Sequence, residues 1–212
     1  MTTLLKICGL RDPDNIRRIA ALEPDFMGFI FYPPSKRKAD PALIRDVLRS
    51  LSDDIQKVGV FVNENPDTIL QTARFLDLDV IQLHGDEDPE LGTVLQNEGL
   101  EVWKAFGMGG GHPDWQHIEN WLDAADAFLF DTASTGYGGS GEAFSHDILQ
   151  HYPFEKSFWL SGGIGPDFRS LPDFFDRLPF LGLDINSRFE SAPGLKKVKE
   201  VAAFFEFWRN EE

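Results

Sequence analysis

Two residues that can exchange protons follow short apolar runs of the sequence, a thiol at Cys8 and a carboxyl group at Asp131. Considered alone, Cys8 is typical of an inert buried thiol, and Asp131 is typical of a helix cap. Placed at opposite sides of one opening, a thiol and a carboxyl group suit general acid–base catalysis, in which one group removes a proton and the other donates one. The pair is therefore the first candidate for a catalytic site.

Glycine turns and a basic run provide candidate sites for anions. Gly162 and Gly163 follow one apolar run, and Asn186 and Ser187 follow another. Small residues let backbone N–H groups approach an anion, so these turns predict a phosphate cradle. Arg37 is the centre of a Lys-Arg-Lys run and has the planar fork that binds a carboxylate through two hydrogen bonds. The sequence therefore predicts a small ligand with a phosphate and a second anionic group.

His84 and Asp184 are two further ionisable residues at the ends of apolar runs. His84 is either a competing base or a residue that orients a neighbour through hydrogen bonds, and Asp184 can raise the pKa of a nearby carboxyl group by its charge. We treat both as candidate substrate-binding residues. The sequence has no histidine, cysteine and carboxylate set at metal-ligand spacing, so it predicts no metal site.

Eight short apolar runs would position these residues. They lie at 4–8, 26–31, 57–62, 80–83, 102–106, 127–130, 158–160 and 181–185. Runs that are apolar at nearly every position are typical of strands buried on both faces of a parallel sheet. Four pairs of a capping residue followed by proline lie between them, at 12–13, 40–41, 65–66 and 88–89. Such pairs start helices, so the pattern predicts one α/β domain over residues 1–212, a (β/α)8 TIM barrel.

The barrel prediction places the polar residues at the C-terminal ends of the strands, where active sites of such barrels lie. The longest irregular stretch, at 132–143, follows the sixth run and would join the same mouth as a functional loop.

Composition limits the partners. Asp and Glu number 35 against 20 Lys and Arg, a net charge of -15 that repels nucleic acid and anionic membranes. A single cysteine, no N-terminal targeting pattern and no apolar stretch approaching the roughly 18 residues needed to span a bilayer predict a cytoplasmic protein. The sequence leaves a monomer and a homodimer equally open.

Several motifs occur together in one order along the whole chain. They are KICGL at 6–10, GFIF at 28–31, VGVFVN at 58–63, QLHGDE at 82–87, Asp131, GGSG at 138–141 and SGG at 161–163. This set closely resembles the phosphoribosylanthranilate isomerase family of tryptophan biosynthesis. The resemblance implies a metal-free and cofactor-free Amadori rearrangement of N-(5-phosphoribosyl)anthranilate to 1-(2-carboxyphenylamino)-1-deoxyribulose 5-phosphate.

The same resemblance implies roles for individual residues. Cys8 would be the general base, Asp131 the general acid, and Arg37 the residue that holds the anthranilate carboxylate. The turns at 162–163 and 186–187 would hold the phosphate. The base would need a lowered pKa, which Lys6 or local N–H groups can supply, and the acid would need a raised pKa.

Two segments depart from the family pattern. After the eighth run, Asn-Ser-Arg-Phe-Glu at 186–190 replaces the usual Ser-Ser-Gly-Val-Glu, and Arg188 either pairs with the phosphate or points outward. In the loop after the sixth run, Gly-Ser-Gly-Glu at 139–142 replaces a common Gly-Thr-Gly-Lys.

Two other functions remain as alternatives. A barrel isomerase of histidine biosynthesis, or a bifunctional one, would need a second phosphate turn near the third or fourth strand and an aspartate in place of Cys8. A non-catalytic barrel that binds a phosphorylated metabolite would not need both proton-transfer groups.

Overall fold

The computed structural model of the protein describes residues 3–109, 113–132 and 145–210. Its eight parallel strands close into a barrel in chain order, with β8 beside β1. They are β1 (Leu4–Ile7), β2 (Phe26–Ile30), β3 (Gln56–Phe61), β4 (Val80–Leu83), β5 (Glu101–Met108), β6 (Ala127–Thr132), β7 (Phe158–Leu160) and β8 (Phe180–Ile185). The predicted (β/α)8 barrel is confirmed, and each predicted run overlaps one strand, although several ends differ by one or two residues.

Four helices begin where the capping pairs predicted them. They are α1 (Pro13–Ala20), α2 (Pro41–Leu48), α3 (Pro66–Leu76) and α4 (Pro89–Asn97). In each, the side chain before the proline accepts a hydrogen bond from a backbone N–H of the first turn, as Asp12 does from Asn15. Proline costs nothing there because its missing N–H would have no helical partner.

The second half of the barrel departs from regular alternation. α5 (Trp115–Glu119) has 5 residues, and the helical segments that follow β6 and β7 among the described residues are 3-10 helices at His146–His151 and Asp173–Arg177. After β8, a small antiparallel pair, β9 (Glu190–Ala192) and β10 (Leu195–Lys196), precedes α6 (Val198–Asn210). The loop predicted at 132–143 lies, beyond Thr132, outside the described residues.

An aromatic cluster fills the barrel below its mouth. Phe26, Trp103 and Trp159 come from three different strands, and their ring centroids lie 4.9 to 5.0 Å apart. Both tryptophans are fully buried. The polar residues at the mouth therefore lie above a floor of buried aromatic rings. None of the helices within the described ranges has the length and apolarity that crossing a membrane requires.

Replacing Trp159 by Ala removes the largest contribution of β7 to this cluster. We expect the free energy of unfolding to fall by about 3 to 5 kcal/mol, the range for truncating a buried aromatic ring. Urea unfolding followed by far-UV circular dichroism measures the change. Phe75→Ala, at a ring on α3 that is 38% exposed, is the control and should cost much less. Equal losses in the two variants would show that the cluster does not support the barrel.

Candidate active site

One cavity of about 720 Å³ opens at the C-terminal ends of the strands. All nine residues that the sequence singled out line it: Cys8, Arg37, His84, Asp131, Gly162, Gly163, Asp184, Asn186 and Ser187. The barrel order separates β1, which carries Cys8 at its end, from β6, which carries Asp131, by β7 and β8. The thiol and the carboxyl group therefore face the same space from different sides.

Cys8 stands directly after β1, in a position fixed by close packing. Its backbone N–H donates to the carbonyl of Ile185 at 2.9 Å, which continues the β1–β8 pairing by one residue. A Cβ atom at Gly28 would lie 2.7 Å from the Cys8 sulfur, so only glycine at that position of β2 leaves room for the thiol.

Burial raises the pKa of the Cys8 thiol above its usual value. The charges of Lys6 and Lys196 and the N–H of Gly9 act in the opposite direction, while the charge of Asp184 adds to the rise. The expectation that Lys6 and local N–H groups lower the thiol pKa is thus right in sign for each contribution. The expected net lowering of the thiol pKa is wrong, because burial disfavours the thiolate more than these groups favour it.

A buried ion pair lies beneath the thiol. Lys6 and Asp184 are register partners on β1 and β8, and the Lys6 Nζ atom lies 3.0 Å from the Asp184 Oδ1 atom. The two side chains are 0% and 5% exposed. Burial, the largest single influence, disfavours the ammonium ion, but the charges of Asp184 and Cys8 and the hydrogen bonds to them together outweigh it and raise the pKa of Lys6. The cation below Cys8 therefore stays charged.

Asp131 has the raised pKa that an acid at neutral pH needs. Burial raises the pKa of its carboxyl group to about 6, against the hydrogen bond from the Thr132 N–H and the charge of Lys6. The Thr132 N–H donates to the Asp131 Oδ1 atom at 2.7 Å. Gly162 packs on this contact with φ +79°, and a Cβ atom there would lie 2.3 Å from the Thr132 hydroxyl oxygen. The glycine turn thus fixes the carboxyl group as well as bordering the cavity.

His84 lies between Gln82 and Asp131. Its Nδ1 atom is 3.0 Å from the Gln82 Nε2 atom, and its Nε2 atom is 3.6 Å from the Asp131 Oδ2 atom. Burial, together with the charges of Lys6 and Lys104, lowers the pKa of His84 to about 4, so the ring is neutral at pH 7. A neutral ring that accepts from Gln82 carries its proton on Nε2, facing Asp131. This geometry favours the orienting role over the competing base.

Arg37 reaches the cavity, but part of its guanidinium group is already bonded. Its Nε atom lies 2.9 Å and its Nη2 atom 2.8 Å from the Glu190 Oε2 atom. Its neighbours Lys36 and Lys38 are exposed. Sequence reasoning missed Glu190 and its other partner, Lys196, because both lie far along the chain in a short β-pair that no periodicity predicts.

The two predicted phosphate turns border the cavity side by side. Gly162 and Gly163 both have positive φ, +79° and +69°, which turns their backbone in the way that small residues allow. Asn186 and Ser187 follow β8 directly. Arg188 is exposed, donates to the Gly163 carbonyl at 3.3 Å and lies 3.8 Å from Asp167. It braces the glycine turn from outside and is not among the residues that line the cavity.

The fold and the cavity define an α/β barrel with a pocket at its mouth that is lined by ionisable side chains and glycine turns. A family model described as N-(5'phosphoribosyl)anthranilate (PRA) isomerase matches residues 5–207. The N-(5'-phosphoribosyl)anthranilate isomerase of Phocaeicola vulgatus is 42% identical over 201 residues, 95% of each chain. The chain belongs to the phosphoribosylanthranilate isomerase family.

Solved structures agree with this assignment. Phosphoribosyl anthranilate isomerase from Thermus thermophilus superposes with a TM-score of 0.82 at 28% identity, over 99% of this chain and 100% of that one. A phosphoribosyl anthranilate isomerase in complex with reduced 1-(o-carboxyphenylamino)-1-deoxyribulose 5-phosphate superposes with a TM-score of 0.79 at 29% identity, over 97% and 98% of the two chains.

Replacing Lys6 by Met removes the cation beneath Cys8 while keeping a similar length. We expect the thiol pKa to rise further, because the largest contribution that lowers it is lost. Cys8 is the only cysteine of the chain, so the 13Cβ chemical shift of labelled cysteine, followed against pH, reports this thiol alone.

Lys104→Met is the matched control, since Lys104 is equally buried and paired with a carboxylate, Glu87, at 2.7 Å. Its ammonium group lies over the Trp121 ring, away from the thiol. The thiol pKa should be unchanged in this variant. Equal shifts in both variants, or none in Lys6→Met, would rule out Lys6 as the group that favours the thiolate.

Proposed function

We propose that this chain isomerises N-(5-phosphoribosyl)anthranilate to 1-(2-carboxyphenylamino)-1-deoxyribulose 5-phosphate, with Cys8 as general base and Asp131 as general acid. The observation that carries the assignment of roles is that this thiol and this carboxyl group line one cavity from different strands, beside two turns suited to phosphate. The Phocaeicola vulgatus relative and the family model support the reaction.

Asp131 would act first, on the ring oxygen of the furanose. The carboxyl group donates its proton to that oxygen as the C1–O bond breaks, and the lone pair of the anthranilate nitrogen forms a C=N bond to C1. A pKa of about 6 keeps a useful fraction of Asp131 protonated near neutral pH. His84, neutral and 3.6 Å from this carboxyl group, would hold it in place.

Cys8 would act second, on the proton at C2. The C=N bond makes that proton acidic, and a thiolate removes it while the C–H electrons form a C1=C2 bond and the π electrons of the C=N bond return to the nitrogen. The enolamine then loses its hydroxyl proton and gains one at C1, which completes the aminoketose. No atom is gained or lost over the sequence, so no co-reactant is required.

The remaining cavity residues would hold the two anionic ends of the substrate. The turns at Gly162–Gly163 and Asn186–Ser187 are suited to the phosphate, because they present small residues and backbone N–H groups. Arg37 is suited to the anthranilate carboxylate. Asp184 borders the same space as a partner of Lys6.

The ionisation of the pair determines the pH dependence of the reaction. Above about pH 6, the protonated fraction of Asp131 falls about tenfold per unit, while the thiolate fraction of Cys8 rises about tenfold per unit. The product of the two fractions is therefore constant from about pH 6 to the raised pKa of the thiol. The wild-type kcat/KM should be flat from about pH 6 to about pH 8, where Lys196 loses its proton, and should fall below about pH 6.

Single substitutions separate the two groups. We expect Cys8→Ala and Asp131→Asn each to lower kcat by about 10^2- to 10^4-fold, the contribution of one acid–base group, with unfolding curves unchanged. Residual activity of Cys8→Ala should fall as pH rises above about 6, since only protonated Asp131 remains to act. Residual activity of Asp131→Asn should rise with pH, following the thiolate.

A fluorescence assay of freshly prepared phosphoribosylanthranilate measures these rates. Asp46→Asn, at an exposed residue of α2, is the control for changing an aspartate and should keep the wild-type rate and profile. Near-wild-type turnover in either active-site variant would remove the assignment. If residual activity instead rose with pH in Cys8→Ala and fell with pH in Asp131→Asn, Asp131 would be the base and Cys8 the acid.

The histidine-biosynthesis substrate should be assayed alongside. It carries two phosphates, whereas the cavity has one pair of adjoining turns suited to phosphate, after β7 and β8, among the residues described. We expect turnover of phosphoribosylanthranilate only.

We further propose that the chain works in the cytoplasm as one domain over residues 1–212, as a monomer or homodimer, with a small phosphorylated molecule as its partner.

A further inference from the structure

Glu190 holds Arg37 by one edge of its guanidinium group. Its carboxylate accepts from the Arg37 Nε atom at 3.0 and 2.9 Å and lies 2.8 Å from the Nη2 atom. The Glu190 side chain is 4% exposed, and that of Arg37 is 17% exposed. Arg37 therefore presents a fixed remaining edge to the cavity, but as a pair the two side chains carry no net charge.

Lys196 adds a second cation behind this pair. Its Nζ atom lies 2.7 Å from the Glu190 Oε1 atom, and the side chain is 0% exposed. The same ammonium group donates to the Asn186 side-chain oxygen at 2.7 Å and to the Asn186 carbonyl at 3.2 Å. Asn15 of α1 holds the backbone of Lys196 on both sides, through hydrogen bonds of 2.8 and 2.9 Å.

Arg37, Glu190 and Lys196 form a cluster whose charges favour the binding of one anion. Arg37 and Lys196 contribute two positive charges and Glu190 one negative charge, so the cluster has a net charge of +1 when Lys196 is protonated. We propose that Lys196 is the positioning residue that gives the Arg37 site its net charge and so makes it selective for a substrate with a carboxylate on the aromatic ring. This inference rests on the proposed function, since it assigns Arg37 to that carboxylate.

The ionisation of Lys196 makes the inference measurable in the unmodified protein. Burial lowers the pKa of Lys196 to about 8, against the charges of Glu190 and Cys8 that raise it, while Arg37 lowers it further. The ammonium ion is present below that pH and is lost above it. Glu190, which bonds both cations, has a lowered pKa and remains ionised over the same range.

The experiment compares two stable ligands by isothermal titration calorimetry between pH 6.5 and 9.5. One is the reduced product, 1-(2-carboxyphenylamino)-1-deoxyribulose 5-phosphate with its ketone reduced, and the other is its phenylamino counterpart without the carboxylate. In the wild-type chain, the ratio of their affinities should fall by about tenfold as pH rises through about 8, as the charge of Lys196 is lost.

Lys196→Met should lower this ratio at pH 7 by about tenfold and remove its pH dependence. Lys197→Met is the matched control: it alters the next residue, an exposed lysine paired with Glu200 at 3.0 Å, and should behave as the wild type. Loss of the Asn186 contact weakens both ligands alike, so the ratio isolates the effect of charge on the carboxylate.

The outcomes separate the inference from the proposed function. A wild-type ratio that does not change with pH would overturn the role of Lys196 even if the Met variant failed to fold. Equal weakening of both ligands by Lys196→Met would overturn it as well. If the wild-type chain bound neither ligand and did not isomerise phosphoribosylanthranilate, the proposed function itself would fail, and the inference would fall with it.

Discussion

Burial of charge inside the barrel mouth is the constraint on which the site depends. Each lysine that is buried within the described ranges, Lys6, Lys104 and Lys196, lies within 3.0 Å of a carboxylate oxygen from a neighbouring element. A buried ion without such a partner would lower the free energy of unfolding by several kcal/mol, which is a large part of the total for a domain. Each pair therefore offsets much of the cost that burial of either charge alone would impose on the fold.

The proton-transfer groups are the exceptions to this pairing. Asp131 has a neutral imidazole as its closest ionisable partner, and Cys8 lies above a cation already bonded to Asp184. Because neither charge is fully compensated, burial raises both pKa values, and the resting site holds a thiol and a partly protonated carboxyl group. The reactive form, with Asp131 protonated and Cys8 ionised, is therefore a minor one. This is the usual consequence of burying two acidic groups in one cavity.

The buried ion pair of Lys104 and Glu87, farther from the cavity, has a structural role. Lys104 donates to the carbonyl of Gly85 at 2.6 Å and pairs with Glu87, whose carboxylate accepts from the Gly85 and Asn63 N–H groups. These bonds hold the turn that follows His84. Glu87 of the QLHGDE segment thus acts on the backbone behind the cavity.

Much of the fold followed from local patterns in the sequence. The eight apolar runs, and caps such as Asp12 and Asp88, encode strands and helix starts through nearest-neighbour chemistry, so they were predictable. The 3-10 segments after β6 and β7 were not, because nothing local forbids a full helix there. Cavity residues at strand ends could be named in advance, since closure of the barrel brings all such ends together.

The supporting contacts could not be named in advance. Glu190 and Lys196 reach Arg37 and Asn186 only after a short β-pair folds back on the mouth, and the sign of the Cys8 pKa shift depends on how deeply the thiol is buried. Both are results of three-dimensional packing between residues far apart in the chain. A resemblance to a family transfers residue types, but it does not transfer these distances.

The most direct measurement of the central claim is a crystal structure of this chain with the reduced product analogue bound. The account predicts the Cys8 sulfur against C2 of the sugar on one face and the Asp131 carboxyl group within hydrogen-bond distance of the former ring oxygen on the other. A complex in which both groups lay on the same face, or in which C2 was nearest to Asp131, would contradict it.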